Sequence, residues 1–355
     1  MMRPSKYRGL AAVLCAIASA CHSESSNQAS SESSAPAASA SAEPKDKLAK
    51  ALASAMTDEK SLKSPTSGGD GAPPADGVFD PARADSEVPA HSPPKVTLGS
   101  PGGEPRVSLA HRPLAASVKA SLQVALDVGG GQGLPPLEFK VDIKPSAGRA
   151  ESKGTQSITA RISDLSVSVP NVPPEFTNQL KQLVGSKISY RVSEQGGAFE
   201  FTQELGKSKQ QELGDLLEMV GQGLANASLA TPNEPVGVGG FWMVASRRKL
   251  LGVDWVVYDM VKIASLAEKT ASLEISSRRF VVGRDVPPPP EAQAQKLTVR
   301  EANASETAKA TLVQPASLLS AYERTQSIKL LLDAQDDKGQ RMLQAGGQSK
   351  FQIVH

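Results

Sequence analysis

Apolar and polar residues alternate along most of the chain after Arg106, and this pattern constrains the fold more than any other feature. In the clearest run the apolar residues share one face and the polar residues share the other: Val118, Ala120, Leu122, Val124, Leu126 and Val128 against Lys119, Ser121, Gln123 and Asp127. A period of two is typical of strands with one buried face. Similar runs continue to the C-terminus, so residues 105–355 are predicted to form an antiparallel β domain.

About a dozen short strands are expected in this domain, together with two short helices. Pro173-Pro174 should open the first helix and Gly185 should end it. The second should span Lys209–Ala227, with one apolar stripe: Leu213, Leu216, Leu217, Val220 and Leu224. A flat sheet of this size would expose too much apolar surface, so the predicted fold is a curved antiparallel sheet or half-barrel. A membrane barrel is disfavoured because aromatic residues make up only 4% of the chain.

Three irregularities subdivide the β domain. The alternation changes phase between Ile162 and Leu165, which predicts a β-bulge near Ser163-Asp164. The region near 230–240 separates two runs of strands and could form a boundary between sub-domains. Residues 286–295 include four consecutive prolines, which cannot continue a strand ladder, so this stretch is predicted to be an exposed connection.

The first 104 residues have a different character. Residues 1–20 combine a basic start with about twelve uncharged residues, the pattern of a secretory signal peptide. Residues 21–104 are rich in Ser, Ala, Pro and Gly and contain few residues that could build a core. Such a composition predicts a disordered stalk, because burial cannot offset the entropy lost on ordering.

The segment Ala18-Ser19-Ala20-Cys21 resembles the lipobox of bacterial lipoprotein signal peptides. The resemblance implies cleavage before Cys21 and lipidation of its thiol, which would anchor the protein to a membrane. Ala18 stands where Leu is usual, and the alternative is ordinary secretion with cleavage after Ala20. His22 follows the cysteine in place of the Asp that favours inner-membrane retention, so the outer membrane is the expected location.

Two further segments resemble one family. The run from Gly185 to Val192 and the run Pro235-Val236-Gly237-Val238-Gly239-Gly240-Phe241-Trp242 are similar to a widespread family of uncharacterised bacterial lipoproteins. The resemblance covers about Ser117 to His355 and implies an exported β-rich domain of unknown activity. It carries over no functional residues.

Charge and composition limit the function classes. The 39 basic and 37 acidic residues give a net charge of +2, so no strong field attracts nucleic acid. With four histidines and two cysteines, a His/Cys metal cage is not expected, and no cofactor is predicted.

Candidates for hydrolytic chemistry are scattered. A Ser/His/Asp site would have to use His111. Glu200 with Glu204, or Asp254 with Asp259, could be proposed as paired carboxylates. Asp259 is unusual because it falls in phase with the apolar face, and a bulge or strand end is expected there.

Basic and aromatic residues supply the remaining candidates. Arg247-Arg248-Lys249 and Arg278-Arg279 could contact anionic lipid or polysaccharide, although hairpin ends commonly carry such charges. An apolar cavity in a curved sheet could be lined by two tryptophans and the second helix: Trp242, Trp255, Leu213 and Leu217.

The favoured hypothesis is a non-enzymatic, lipid-anchored envelope protein. Its contact with the membrane would be the lipid, and its β domain would bind an apolar small molecule or an envelope protein. The alternatives are an envelope hydrolase with an unrecognised carboxylate site and a purely structural spacer.

Overall fold

The computed structural model describes residues 73–127, 133–146, 154–169, 172–206, 210–250, 252–286, 296–314, 318–336 and 339–354. Cys21, the stalk up to residue 72 and the proline run at 287–290 lie outside these ranges, so the predictions made for them stay predictions.

Fourteen strands form one sheet. They are β1 Val78–Phe79, β2 Lys95–Ser100, β3 Val118–Asp127, β4 Gly133–Pro145, β5 Gln156–Val167, β6 Lys187–Val192, β7 Ala198–Glu204, β8 Phe241–Leu250, β9 Val253–Leu266, β10 Thr270–Val282, β11 Asp285–Val286, β12 Lys296–Val313, β13 Ala321–Asp336 and β14 Gly339–Val354. The described helices are α1 Pro81–Glu87, α2 Pro174–Leu180, which continues into a 3₁₀ turn at Lys181–Leu183, and α3 Gln211–Ala227.

The sheet is antiparallel and open, as the alternation predicts. Its strand order is β2-β8-β9-β10-β12-β13-β14-β3-β4-β5-β6-β7, with β1 added in parallel beside β10 and β11 added beside β12. The two runs of strands on either side of 230–240 therefore belong to the same sheet. The long-range pairing of β14 with β3, in which Phe351 lies opposite Val124, joins them.

The predicted bulge is confirmed. Lys140 pairs with Asp164 and Val141 pairs with Ile162, so Ser163 is the extra residue in β5. Its hydroxyl donates to the Lys140 carbonyl at 3.1 Å. The bulge restores the alternation, because Ile162 and Leu165 are both buried.

The prediction of a disordered stalk up to residue 104 is wrong for its last part, since β1, α1 and β2 lie within it. Asp80 caps α1 through its side chain, and Pro81 begins the helix. Phe79, Ala84 and Val88 pack on the outer face of β8–β10, against Val256, Tyr258, Met260 and Phe280 among others. A few apolar residues suffice here because the sheet supplies the rest of the cluster.

The helix and strand counts also differ from expectation. Three helices are described instead of two, and α3 has 17 residues, so it is not short. The strands β12, β13 and β14 have 18, 16 and 16 residues. These three hairpin-linked strands are longer than the short strands expected, because polar residues inside them pair in the ladder without ending it.

Helix α3 lies on the concave side of the sheet and contacts both of its halves. A Cβ at Gly221 would lie 3.4 Å from Ile188 Cγ2 on β6, and a Cβ at Gly223 would overlap the Phe351 ring on β14. Every residue from Val220 to Ala227 is buried. A helix buried all round is a core element, so α3 fills the interior that the curved sheet encloses.

The two ends of the sheet approach each other at a seam formed by Pro94, residues 195–198 and residues 229–231. The Thr231 amide donates to the Gln195 carbonyl at 2.9 Å. A Cβ at Gly197 would lie 2.7 Å from Pro94 Cγ. The ends of the sheet thus meet through loop contacts and not through a continuous ladder.

Candidate functional site

Polar residues form a belt across the inner face of five strands. Asp259, Ser277, Glu306, Gln326 and Ser349 lie in direct register on β9, β10, β12, β13 and β14. Neighbouring positions complete what we call the polar belt: Arg248, Arg279, Tyr322 and Arg324. The belt lies between two apolar clusters, one around α3 and one around Trp255.

Glu306 has three buried partners in the belt. Its carboxylate is 2.5 Å from Arg279 Nη2 and 3.4 Å from Arg324 Nη1. The Tyr322 hydroxyl donates to the other carboxylate oxygen at 3.0 Å. All four side chains are at most 5% exposed, so water does not screen these interactions strongly.

Arg248 and Asp259 form a looser pair. Arg248 Nη2 lies 3.7 Å from the Asp259 carboxylate, which exceeds the length of a charge-assisted hydrogen bond. Arg248 Nη1 also donates to the side-chain oxygen of Asn226 on α3. This contact joins the helix to the belt.

The two carboxylates of the belt differ in their protonation. Burial raises the pKa of Asp259, and the charge of Arg248 only partly opposes it. Burial also acts to raise the pKa of Glu306, but Arg324, Arg279 and Tyr322 together bring that pKa below its usual value. The surroundings of Glu306 therefore favour its anion, whereas burial of Asp259 shifts its equilibrium towards the protonated acid.

A small cavity of about 20 Å³ lies between the belt and the seam. Its inner side includes Arg248, Asp259, Glu306, Tyr322 and Asn226, and its outer side includes Pro94, Gly197 and Ala230. This volume is close to that of one water-sized occupant. It is far below the roughly 300–1,000 Å³ of pockets for drug-sized ligands.

The four residues predicted to line an apolar cavity are core residues in this conformation, and none lines the cavity at the seam. Trp242 is fully buried, and its indole donates to the Ala230 carbonyl at 2.9 Å. Leu213 and Leu217 belong to the same cluster, between α3 and the sheet. Trp255 lies in the second cluster, so the two tryptophans are not brought together. The helix occupies the space that they were expected to line.

The carboxylate pairs proposed for hydrolysis are not assembled. Glu200 pairs with Arg191 at 3.0 Å, and Glu204 pairs with Lys187 at 3.2 Å. Asp254 is held by Arg247 on the outer face, whereas Asp259 points inward. The expectation of a bulge or strand end at Asp259 is wrong, because Asp259 pairs regularly with Ser277 and Val244. Arg248 is the reason that an acid is tolerated there.

His111 packs against the turn at Gly196 in the seam region, where a Cβ would lie 2.9 Å from its Nδ1. Desolvation lowers the pKa of His111, which favours the neutral ring. Within the described ranges no hydrogen bond joins His111 to a serine or an acidic residue.

The basic runs are divided between the two faces of the sheet. Arg247 points outward and pairs with Asp85 and Asp254, while Arg248 points into the interior. Arg279 is likewise buried, and Arg278 is half-exposed. Interpreting both runs as surface charge is therefore wrong for one arginine in each, because successive strand residues face opposite sides.

Glu306, Arg324, Tyr322 and Asn226 were not recognised from the sequence. Glu306 interrupts a row of small inward residues with the same spacing, Ala302, Ala304, Ala308 and Ala310, which was an available signal. No sequence pattern indicated Asn226, because its contact with Arg248 depends on where α3 lies.

In the part of the chain that the structure describes, no helix is long and apolar enough to cross a membrane. The same residues contain no group of three or more His, Cys, Asp or Glu positioned to hold a metal ion.

Comparisons with known proteins give little further information. No family model and no curated protein matches the chain. One similar structure is from a study of lipid–protein interactions in lipovitellin, with 10% identity and a TM-score of 0.37; the match covers 68% of this chain and 25% of that one. Another is DynF from the dynemicin biosynthesis pathway of Micromonospora chersina, with 9% identity, a TM-score of 0.19 and coverage of 73% and 90%. The chain thus spans about a quarter of the lipovitellin chain, and scores this low do not establish a shared fold.

Proposed function

We propose that this protein is a lipid-anchored cell-envelope protein that binds an apolar ligand without chemical turnover. Lipidation at Cys21 and an outer-membrane location are supported by the lipobox-like segment Ala18-Ser19-Ala20-Cys21 and by His22. Binding is supported by one observation above the others: helix α3 covers a concave sheet face lined with aliphatic side chains.

Helix α3 is built in a way that suits a movable cover. Gly214, Gly221 and Gly223 each cost about 1 kcal/mol of helix stability relative to alanine. The N-cap residue Gln210 does not cap the helix; its side chain instead accepts a hydrogen bond from Gln179. The first half is also less enclosed than the second, since Asp215, Glu218 and Met219 are only half-buried.

Ligand binding would require α3 to lift from the sheet, starting at its less enclosed first half and continuing past Gly221. Leu213 and Leu217 are fully buried between helix and sheet in the closed conformation. Lifting would expose these two helix residues to the new space, where an acyl chain would replace the sheet as their partner. These two leucines are therefore the proposed ligand contacts, with Trp242 as fixed wall.

A disulfide that locks the helix tests this proposal. Gly221 and Ile188 are suitable positions, because a Cβ at Gly221 would lie 3.4 Å from Ile188 Cγ2, the position that the sulfur of a cysteine at 188 can occupy. In a Cys21→Ser background, the pair Ile188→Cys and Gly221→Cys should bind a fluorescent fatty acid when reduced. Oxidation should weaken that binding at least tenfold, and reductant should restore it.

The single variant Gly221→Cys, treated with the same oxidant, is the matched control and should keep its affinity. Equal affinity in the locked and reduced proteins would refute helix displacement. No fatty-acid binding in either state would favour the envelope-partner or spacer hypotheses instead.

The anchor is tested separately by Cys21→Ser in the full-length protein. Loss of labelled fatty-acid incorporation and release from the membrane fraction are expected. A variant that still sediments with membranes would contradict lipid anchoring while leaving ligand binding open.

A further inference from the structure

The polar belt contains an unequal number of buried charges. Its three guanidinium groups belong to Arg248, Arg279 and Arg324, and its two carboxylates to Asp259 and Glu306; none of these residues is more than 8% exposed. Glu306 is contacted by two of the arginines. The remaining arginine, Arg248, donates to the neutral Asn226 amide, and the one acidic partner given for it among the described residues is Asp259 at 3.7 Å. A net positive charge in such a poorly solvated place is costly unless a counter-charge accompanies it.

Several buried polar atoms at the cavity lack a hydrogen-bond partner among the described residues: Arg248 Nε, Asn226 Nδ2 and Ser228 Oγ. Arg248 Nε and Asn226 Nδ2 have no hydrogen-bond partner among the described residues, although both residues are more than nine-tenths buried. Both line the cavity at the seam. Unsatisfied buried donors of this kind are rare in native proteins, and each calls for an acceptor.

The cavity matches an acceptor of a particular size. A volume of about 20 Å³ is close to that of one water molecule or one monatomic ion. Pro94 and Gly197 line the side of the cavity at the seam.

We propose that the cavity binds one halide ion, held by Arg248 and by the amide of Asn226. The halide supplies the negative charge that the belt lacks and accepts from Arg248 Nε and Asn226 Nδ2, which have no partner within the described chain. The Glu306 carboxylate at the same cavity is matched by Arg279 and Arg324. Burial raises the pKa of Asp259, which lessens repulsion from its carboxyl group.

The first test uses the unaltered full-length protein. Its Tm should be at least about 2 °C higher in sodium chloride or bromide than in sodium gluconate at equal ionic strength, and the increase should saturate. Crystals grown with bromide should show an anomalous peak in the cavity next to Arg248. Equal Tm values in the salts, together with a cavity that holds only water, would overturn the proposal.

The second test places the counter-charge on the protein. Asn226→Asp keeps the oxygen that accepts from Arg248 and replaces the unpartnered amide nitrogen with a carboxylate oxygen. This variant should fold and lose the dependence of Tm on halide. If it retains the full halide effect, the assignment is refuted.

Gln222→Glu is the matched control. Gln222 lies one turn earlier on α3, is buried and donates to the Lys249 carbonyl at 2.9 Å, but it does not line the cavity. The control should be destabilised and still respond to halide. If Asn226→Asp fails to fold, the bromide diffraction and the salt comparison on the unaltered protein decide the question.

Discussion

Strands β3–β7 and strands β8–β14 enclose the same helix, but their inner faces differ. The buried inner positions in the described parts of β3–β7 are apolar apart from the Tyr190 hydroxyl, and burial raises the pKa of that tyrosine to about 12. The inner face of β8–β14 carries the polar belt. The inner face of β3–β7 is stabilised by apolar burial. The inner face of β8–β14 also contains charged side chains, which require specific partners.

The two inner faces hold α3 in different ways, one by apolar contact and the other by buried charge pairs. Apolar contacts are not directional, so the wall of β3–β7 constrains the helix mainly by shape. Ion pairs in a poorly solvated interior require defined geometry, and they add little net stability compared with apolar residues. We interpret the belt as a device for defining the position of α3 and of neighbouring strands, at some cost in stability.

The largest expected effect concerns Glu306. Glu306→Gln leaves Arg279 and Arg324 buried without a carboxylate, which should lower the free energy of unfolding by about 3–5 kcal/mol. Urea denaturation of the variant and the unaltered protein measures this difference.

A matched variant separates lost pairing from lost packing. Replacing the whole group (Arg279→Met, Glu306→Leu and Arg324→Met together) should destabilise less than Glu306→Gln alone, because no unpaired charge remains. A triple variant that is less stable than the single one would mean that the belt itself provides net stability.

The two faces of α3 should respond differently to one added methyl group. Gly223→Ala would drive its Cβ into the Phe351 ring, so a loss of about 1–3 kcal/mol is expected despite the better helix propensity. Gly221→Ala meets Ile188 at an ordinary contact distance and should be neutral or stabilising by up to about 1 kcal/mol. Thermal unfolding of both variants tests the packing of the helix. Equal effects would mean that α3 is not held between the halves as described.

The smallest expected effect is on the pH dependence of stability. The depressed pKa of Glu306 adds stability at pH values above its unfolded-state pKa, and this stability is lost as the pH falls through the folded-state pKa. The raised pKa of Asp259 acts in the opposite sense: its contribution is present below the unfolded-state pKa and is lost as the pH rises through the folded-state value.

Asp259→Asn should therefore make the free energy of unfolding rise more steeply with pH in the acidic range. Urea titrations at a series of acidic pH values measure this slope. Exposed Asp285→Asn is the control and should leave it unchanged. An unchanged slope in Asp259→Asn would show that Asp259 titrates alike in the folded and unfolded states.

Much of the local structure could be predicted from local patterns in the amino-acid sequence. The phase change between Ile162 and Leu165 located the bulge, and the stripe of leucines located α3. The N-terminal strands and α1 were missed because Phe79, Ala84 and Val88 are sparse, and their burial depends on the outer face of a distant hairpin. The polar belt was missed because its charges resemble surface charges until their partners are known.

By itself the sequence determined which residues of each strand share a face, because the period of two is a local property of extended backbone. Only the tertiary structure decided which strands are neighbours, that α3 fills the interior, and that Arg248, Asp259 and Asn226 meet. These contacts join residues far apart in the chain, and their free energy depends on burial and on charge pairing, which no local pattern encodes.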